Sequence, residues 1–556
     1  MWNKQYLVNR HCLWTNDNVA GSPKSERESD QRRGRCEQEG TAMTEEIHET
    51  VATAPSFELS PEDKAKLAKI GPSEKIKHAA MYKLIDYVME DPEANIHKVM
   101  NMLDKLAPKN LFPTQRETMR QAIEAKSNWY QLIMKILELN PEVIPQLLKT
   151  FVVDSNLIAW GMQEHNRKAL KCNIPWAILL DPTSACNLHC TGCWAAEYGN
   201  KLNLTYEEID SIINQGVELG VHMYIYTGGE PLVRKHDLIK LCEAHPDCTF
   251  LSFTNATLID ETFVQDMICV KNFVPAISVE GIGEATDVRR GEGTFNKIDH
   301  AMKLLREAGL PFGVSLCHTS QNSDALVSDE FFDWLIDQGV LFAWIFTFMP
   351  VGYSTKDCEL MATPEQREQL YRFVKRAREE KPLFTLDFQN DGEFVGGCIA
   401  GGRRYLHINA KGDVEPCVFA HYSNANIREV SLLDALRSPL FMQYYENQPF
   451  DGENLLRPCP IYENTGRLAD MVEAAGAHST DLEHPEDARD LTEKMRPRAE
   501  AWAEVADRIW NDPDDPRRPY RDRVYVGMAE SDVKKYEETG FVGNTPLEKL
   551  KAEHSR

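Results

Sequence analysis

Three cysteines, Cys186, Cys190 and Cys193, stand in a C-x3-C-x2-C run directly after the apolar, strand-like stretch Ala177–Leu180. A structural zinc site or a closed iron–sulfur cluster takes four protein ligands. Three thiolates leave one iron of a cubane open to an exogenous ligand. With 14 cysteines in 556 residues, chance supplies roughly 0.01 such spacings, so composition does not explain the run. Thirty-five residues after Cys193 comes Gly228-Gly229-Glu230-Pro231, again directly after an apolar strand-like run, 222–226. Glycines at a strand end let a ligand approach backbone N–H and C=O groups closely.

Together the two motifs resemble the radical S-adenosylmethionine (SAM) superfamily. The resemblance implies that the three cysteines hold a [4Fe-4S] cluster with one open iron. It also implies that the G-G-E-P loop receives the methionyl amino group of SAM, with Glu230 as charge partner. Many members carry an aromatic just before the third cysteine; here Gly192 stands there and Trp194 follows. The chemistry implied is reductive cleavage of SAM to methionine and a 5′-deoxyadenosyl radical, which abstracts hydrogen from an unactivated C–H.

The elements that must position these residues follow from periodicity. Short apolar runs at 177–180, 223–226, 250–253, 274–279, 312–316 and 343–348 alternate with amphipathic segments such as Tyr206–Leu219, 297–308 and Asp329–Gln338. Six β-α repeats predict an α/β fold, a partial (β/α)6 TIM-like barrel over 174–355, with its site built from loops at the strand C-terminal ends. Every chemical motif lies at such an end. From 43 to 173 the pattern is helical, with Pro141 and Pro145 punctuating one helix and the next. Residues 1–42 are polar and Arg/Ser-rich with scattered acids, and read as a disordered extension or an over-long gene start before Met43.

Two more strand ends carry polar groups suited to a nucleoside: Thr254-Asn255, and Ser278-Val279-Glu280-Gly281. In similar enzymes a fourth-strand Ser and acid lie near the ribose hydroxyls, and an Arg in the next loop pairs with the methionine carboxylate. Arg289-Arg290-Gly291 matches that loop, and an Arg fork suits a carboxylate. Of the two arginines, Arg290 is the one expected to make the pair.

Beyond the barrel, Cys398, Cys417 and Cys459 resemble the auxiliary-cluster extension known as SPASM or its shortened twitch form, expected over 356–465, with 408–417 as a hairpin around Lys411-Gly412. Three cysteines in register imply a second, auxiliary iron–sulfur cluster whose fourth ligand is Cys358, a residue such as His421, or the substrate. Cys172, Cys242, Cys248, Cys269 and Cys317 read as core cysteines. Residues 466–556 read as a polar helical tail with a linker at 511–523.

A net charge of −24 disfavours a nucleic-acid partner. No apolar run reaches the ~18 residues of a transmembrane helix, and the cysteine usage fits a reducing, cytoplasmic setting. The resemblance implies a low-potential electron donor of flavodoxin or ferredoxin type. Peptide or protein modification is the first reading of the substrate. A lipid or other hydrophobic small molecule is the alternative, and a non-catalytic electron carrier or scaffold is the rival from another class.

Overall fold

The computed structural model of the chain describes residues 57–106, 113–351, 358–450 and 454–514, with short strands at 541–542 and 545–546. The expected extension 1–42, the start at Met43, most of the 511–523 linker and a terminal helix lie outside the described residues.

The six expected strands form: β1 Ala177–Leu180, β2 Met223–Tyr226, β3 Thr249–Thr254, β4 Phe273–Ser278, β5 Gly313–His318 and β6 Phe342–Thr347. All pair in parallel with their sequence neighbours. Helices cover their outer face, and local chemistry sets the helix ends. Thr205 and Glu208 make a reciprocal capping box at the start of Tyr206–Leu219, and Gly220 ends it in the left-handed region. Asp260 and Ser328 cap later helices through the N–H of Phe263 and Phe331.

Three more strands extend the sheet. β7 (Phe384–Asp387) pairs parallel with β6, and β8 (Tyr405–Ile408) pairs parallel with β1. β9 (Val414–Glu415) turns back antiparallel on β8, which is the expected Lys411-Gly412 hairpin. The order is β7-β6-β5-β4-β3-β2-β1-β8-β9, with β7 and β9 as unjoined edges, so the barrel is partial. The stretch read as an auxiliary region therefore contributes to the barrel's own sheet. The six expected strands are joined by two more parallel ones, β7 and β8, whose four residues each give little period-2 signal.

Side-chain alternation divides the sheet into two faces. Tyr224, Tyr226, Phe250, Ile277 and Val314 pack outward under the helices. Met223, Ile225, Leu251 and Tyr405 face the concave side. Before β1 lie the helices Pro72–Glu90, Pro92–Leu106, Pro113–Ala125 and Asn128–Leu137, three of them opened by a proline at the first position. Ile144–Leu148 then runs into a π-helix, Lys149–Ile158, and on into Ala159–Leu170. Among the described residues no helix is long and apolar enough to cross a membrane.

Candidate active site

Cys186, Cys190 and Cys193 occupy the loop after β1 and border one cavity of about 1280 Å³. Its walls also carry Gly228, Gly229 and Glu230 from the β2 end, Asn255 from the β3 end, Ser278 from β4, and Arg289 and Arg290. The structure thus gathers residues from 186 to 290 at the C-terminal ends of the parallel strands, where such barrels place their sites.

The two principal motifs are bonded to each other. Gly229 N–H donates to Thr183 O at 3.0 Å and Glu230 N–H to Ala185 O at 2.8 Å. A Cβ on Gly228, whose φ is +100°, would stand 2.7 Å from Thr183 O, and one on Gly229 would stand 2.2 Å from Ala185 O. These glycines are thus needed for the approach of two loops, beyond any ligand contact. The Glu230 carboxylate accepts from Thr254 Oγ1 at 2.7 Å, Asn255 N–H at 2.7 Å and Leu232 N–H at 3.0 Å. Burial raises its pKa against these hydrogen bonds. Pro231 starts the 3-10 turn Pro231–Arg234 and does not line the cavity.

Glu280 does not line the cavity. It is fully buried and stands behind the arginines: Arg290 Nε at 2.5 Å and Nη2 at 2.6 Å, Arg289 Nη1 at 2.9 Å. Two guanidiniums outweigh the desolvation and hold its carboxyl below the usual range. Arg290, engaged with Glu280 through two nitrogens, also points Nη1 at Cys190 Sγ, 3.9 Å away. Arg289 reaches Gly192 O at 3.4 Å. Both arginines line the cavity, so a ligand carboxylate has access to either.

Gly192, at φ +67°, lies under Phe348 from the β6 end: a Cβ there would meet Phe348 Cε2 at 2.6 Å. The backbone next to the third cysteine is thus packed by a ring from the far side of the barrel mouth, just after β6.

The cysteines suit a cluster better than a single ion. Neither cysteine triad has all three sulfurs within 4.8 Å of one another, whereas the ligand atoms of His222, Asp247 and Cys248 near the opposite strand ends do. A tetrahedral zinc at ~2.3 Å Zn–S would hold its sulfurs about 3.8 Å apart, while a cubane binds each thiolate to a different iron. Burial, with Glu230 and the other two thiols adding, pushes Cys186 up to about 11. Binding a metal would therefore have to displace a proton. Leu188 N–H approaches Cys186 Sγ at 3.4 Å.

In the second triad Cys417 is buried and Cys398 and Cys459 are half-buried. Tyr405 Oη donates to Cys417 Sγ at 2.7 Å, Phe419 N–H lies 3.5 Å from the same sulfur, and Ile461 and Tyr462 N–H lie 3.4 and 3.5 Å from Cys459 Sγ. Such N–H···S contacts tune iron–sulfur clusters. Burial pushes Cys398 up to about 11 and Cys417 up to about 12. Cys459 N–H is held by Glu463 at 2.7 Å, and Glu463 pairs with the buried Arg367 at 2.6 Å. His421 is engaged at both ring nitrogens, with Asp481 at 2.6 Å and Val418 O at 2.9 Å, which leaves neither for iron. Cys358 packs at the edge of the apolar cluster containing Cys417.

Residues 180–328 match the radical SAM superfamily and residues 398–460 match the SPASM iron-sulfur cluster-binding domain. The chain thus carries a radical SAM domain followed by a SPASM domain, and the radical SAM proteins it matches are enzymes. Its cofactors are accordingly a [4Fe-4S] cluster, SAM and auxiliary iron–sulfur. An AdoMet-dependent heme synthase of Oleidesulfovibrio alaskensis is 25% identical over 318 residues, 50% of this chain and 78% of the relative. A PqqA peptide cyclase of Bradyrhizobium diazoefficiens is 26% identical over 268 residues, 46% of this chain and 70% of the relative. The crystal structure of Streptococcus suis SuiB bound to S-adenosylmethionine covers 54% of this radical SAM chain and 77% of its own, at a TM-score of 0.44 and 20% identity.

Several residues of this radical SAM site carry no motif. Cys317, read as core, lines the cavity from β5, where burial raises its pKa against the opposing pull of Arg289. Cys269 is exposed. Strand alternation could have put Cys317 on the concave face, whereas no local signal marks Tyr405.

Proposed function

We propose that this chain cleaves SAM reductively and directs the resulting radical at a C–H bond of a substrate held in the 1280 Å³ cavity. The observation that carries the reading is the meeting of Cys186, Cys190, Cys193, Glu230, Asn255, Ser278 and Arg289/Arg290 on one cavity wall. A [4Fe-4S] cluster bound there supplies the electron for sulfonium cleavage, itself received from a low-potential donor of ferredoxin or flavodoxin type.

The chain's own residues supply placement. Cys186, Cys190 and Cys193 hold the cluster. Glu230, locked by three donors, presents a fixed carboxylate to the SAM amino group. Arg289 and Arg290, held by Glu280, offer N–H groups to its carboxylate. Asn255 and Ser278 line the wall beyond them. Cys398, Cys417 and Cys459 hold the auxiliary cluster. The apolar lining of the cavity limits water around a reactive species.

Anaerobically reconstituted protein given dithionite and SAM should release 5′-deoxyadenosine. The triple change Cys186, Cys190 and Cys193→Ala should abolish release while the protein stays folded. Absence of product from protein with full iron content would sink the reading.

Peptide modification is supported as a second reading by the relative named as a peptide cyclase. Acceptance of a peptide would show as peptide-dependent 5′-deoxyadenosine.

A further inference from the structure

The barrel interior is open along its whole length. In a closed barrel the inward side chains fill the lumen. Here they line it: β2 offers Met223 and Ile225, β3 Leu251 and Phe253, β6 Trp344 and Phe346. The cavity begins at the cysteine loop and continues past the N-terminal strand ends, where Leu132, Ile133, Ile136 and Leu148 of the preceding helices close it with more apolar surface. Its lining reaches solvent at apolar residues: Phe151 (38% exposed), Phe384 (42%), Phe394 (48%) and Val395 (44%).

No charged side chain stands on the strand walls. The charged residues of the lining, such as Glu230 and Arg289 at one end and Glu164 and Lys168 at the other, come from loops and helices. A peptide threaded through the lumen would need partners for its amide groups, and burying them unpaired is costly. The strand walls offer a few hydroxyls, Thr249 and Ser315 among them. A hydrocarbon chain needs no partners.

We propose, on the footing of the radical SAM reading above, that the substrate is a long-chain lipid whose acyl or isoprenoid tail threads this lumen from the apolar mouths to the SAM site. The tail's methylenes are then the C–H bonds brought beside the cysteine loop, and the lumen's length selects which of them arrives.

The test uses the full reconstituted protein and parinaric acid, a fluorescent long-chain fatty acid, displaced by n-alkyl carboxylates of increasing length. Affinity should rise about fourfold per added methylene, which corresponds to ~0.8 kcal/mol per buried CH2, and level off once the lumen is filled. Leu251→Trp, which narrows the middle of the lumen, should move the levelling point to shorter chains. Ile225→Trp serves the same purpose should the first variant lose its cooperative melting. Affinity independent of chain length in the wild type would overturn the proposal, as would an unchanged levelling point in a folded variant. Displacement by a peptide but by no alkyl chain would assign the lumen to peptides. Release of 5′-deoxyadenosine without added substrate is measured separately, so loss of the radical reading and loss of the lipid channel show in different assays.

Discussion

His407 Nε2 on β8 lies 2.9 Å from Asp181 Oδ1, the residue that follows β1. On its other side His407 Nδ1 is 2.6 Å from Glu415 on β9, whose carboxylate also accepts from Tyr198 at 3.0 Å, Asn409 at 2.8 Å and Thr480 at 2.6 Å. Asp181 packs against Gly228, and Tyr198 follows the third cysteine by five residues. A single buried imidazole therefore joins the SAM loop, the cysteine loop and the SPASM hairpin.

Burial alone would lower the pKa of His407, but the carboxylates of Asp181 and Glu415 prevail and push it up to about 10. A group raised from 6.5 contributes stability that is fully present below about pH 6.5 and is lost as pH rises through about 10. The apparent melting temperature should fall across that window in the wild type. His407→Leu leaves two buried carboxylates facing each other and should cost about 3–5 kcal/mol near neutral pH. Its melting profile should lack the alkaline slope; an unchanged slope would assign the titration to another group.

Arg367 and Glu463 form the chain of support for the auxiliary site. Arg367 is 1% exposed, stacks 4.0 Å over the Trp502 ring and pairs with Glu463, which holds the backbone of Cys459. With two cubanes bound the protein should contain about eight irons, four from each. Arg367→Met removes the partner of a buried carboxylate, and iron content should drop toward about four while SAM cleavage by the first cluster persists. Iron counts that stay near eight would show that the SPASM loop holds without this pair.

Gly192 is the third point of leverage. Its φ of +67° and the Phe348 ring 2.6 Å from where a Cβ would sit make Gly192→Ala costly twice over. The left-handed backbone alone costs about 1–2 kcal/mol for a residue with a Cβ. The variant should lose part of its cluster absorbance on reconstitution. Adding Phe348→Ala should restore the steric share and leave the backbone share. Full cluster content in Gly192→Ala alone would mean that the loop relaxes freely.

The chemistry of this chain is largely local, which is why so much of it was legible without coordinates. A C-x3-C-x2-C run, a Gly-Gly-Glu-Pro loop and period-2 apolar runs are each written within a dozen residues. β1 and β2 lie at their expected bounds, and the helix Tyr206–Leu219 carries its capping box in its own sequence. Long-range choices are of another kind. Nothing near Tyr405 says that β8 will dock beside β1, because an apolar four-residue strand can hydrogen-bond to any open edge of suitable twist. The pairing of Glu280 with both arginines is decided by which charges are buried together once β4 and the following helix are in place. The lumen is the clearest case. Whether inward side chains fill a barrel or line a channel depends on strands 177–408 closing only part-way and on helices before residue 171 covering the far end. Periodicity names the face a residue occupies, and only the assembled sheet sets how far apart the facing side chains stand.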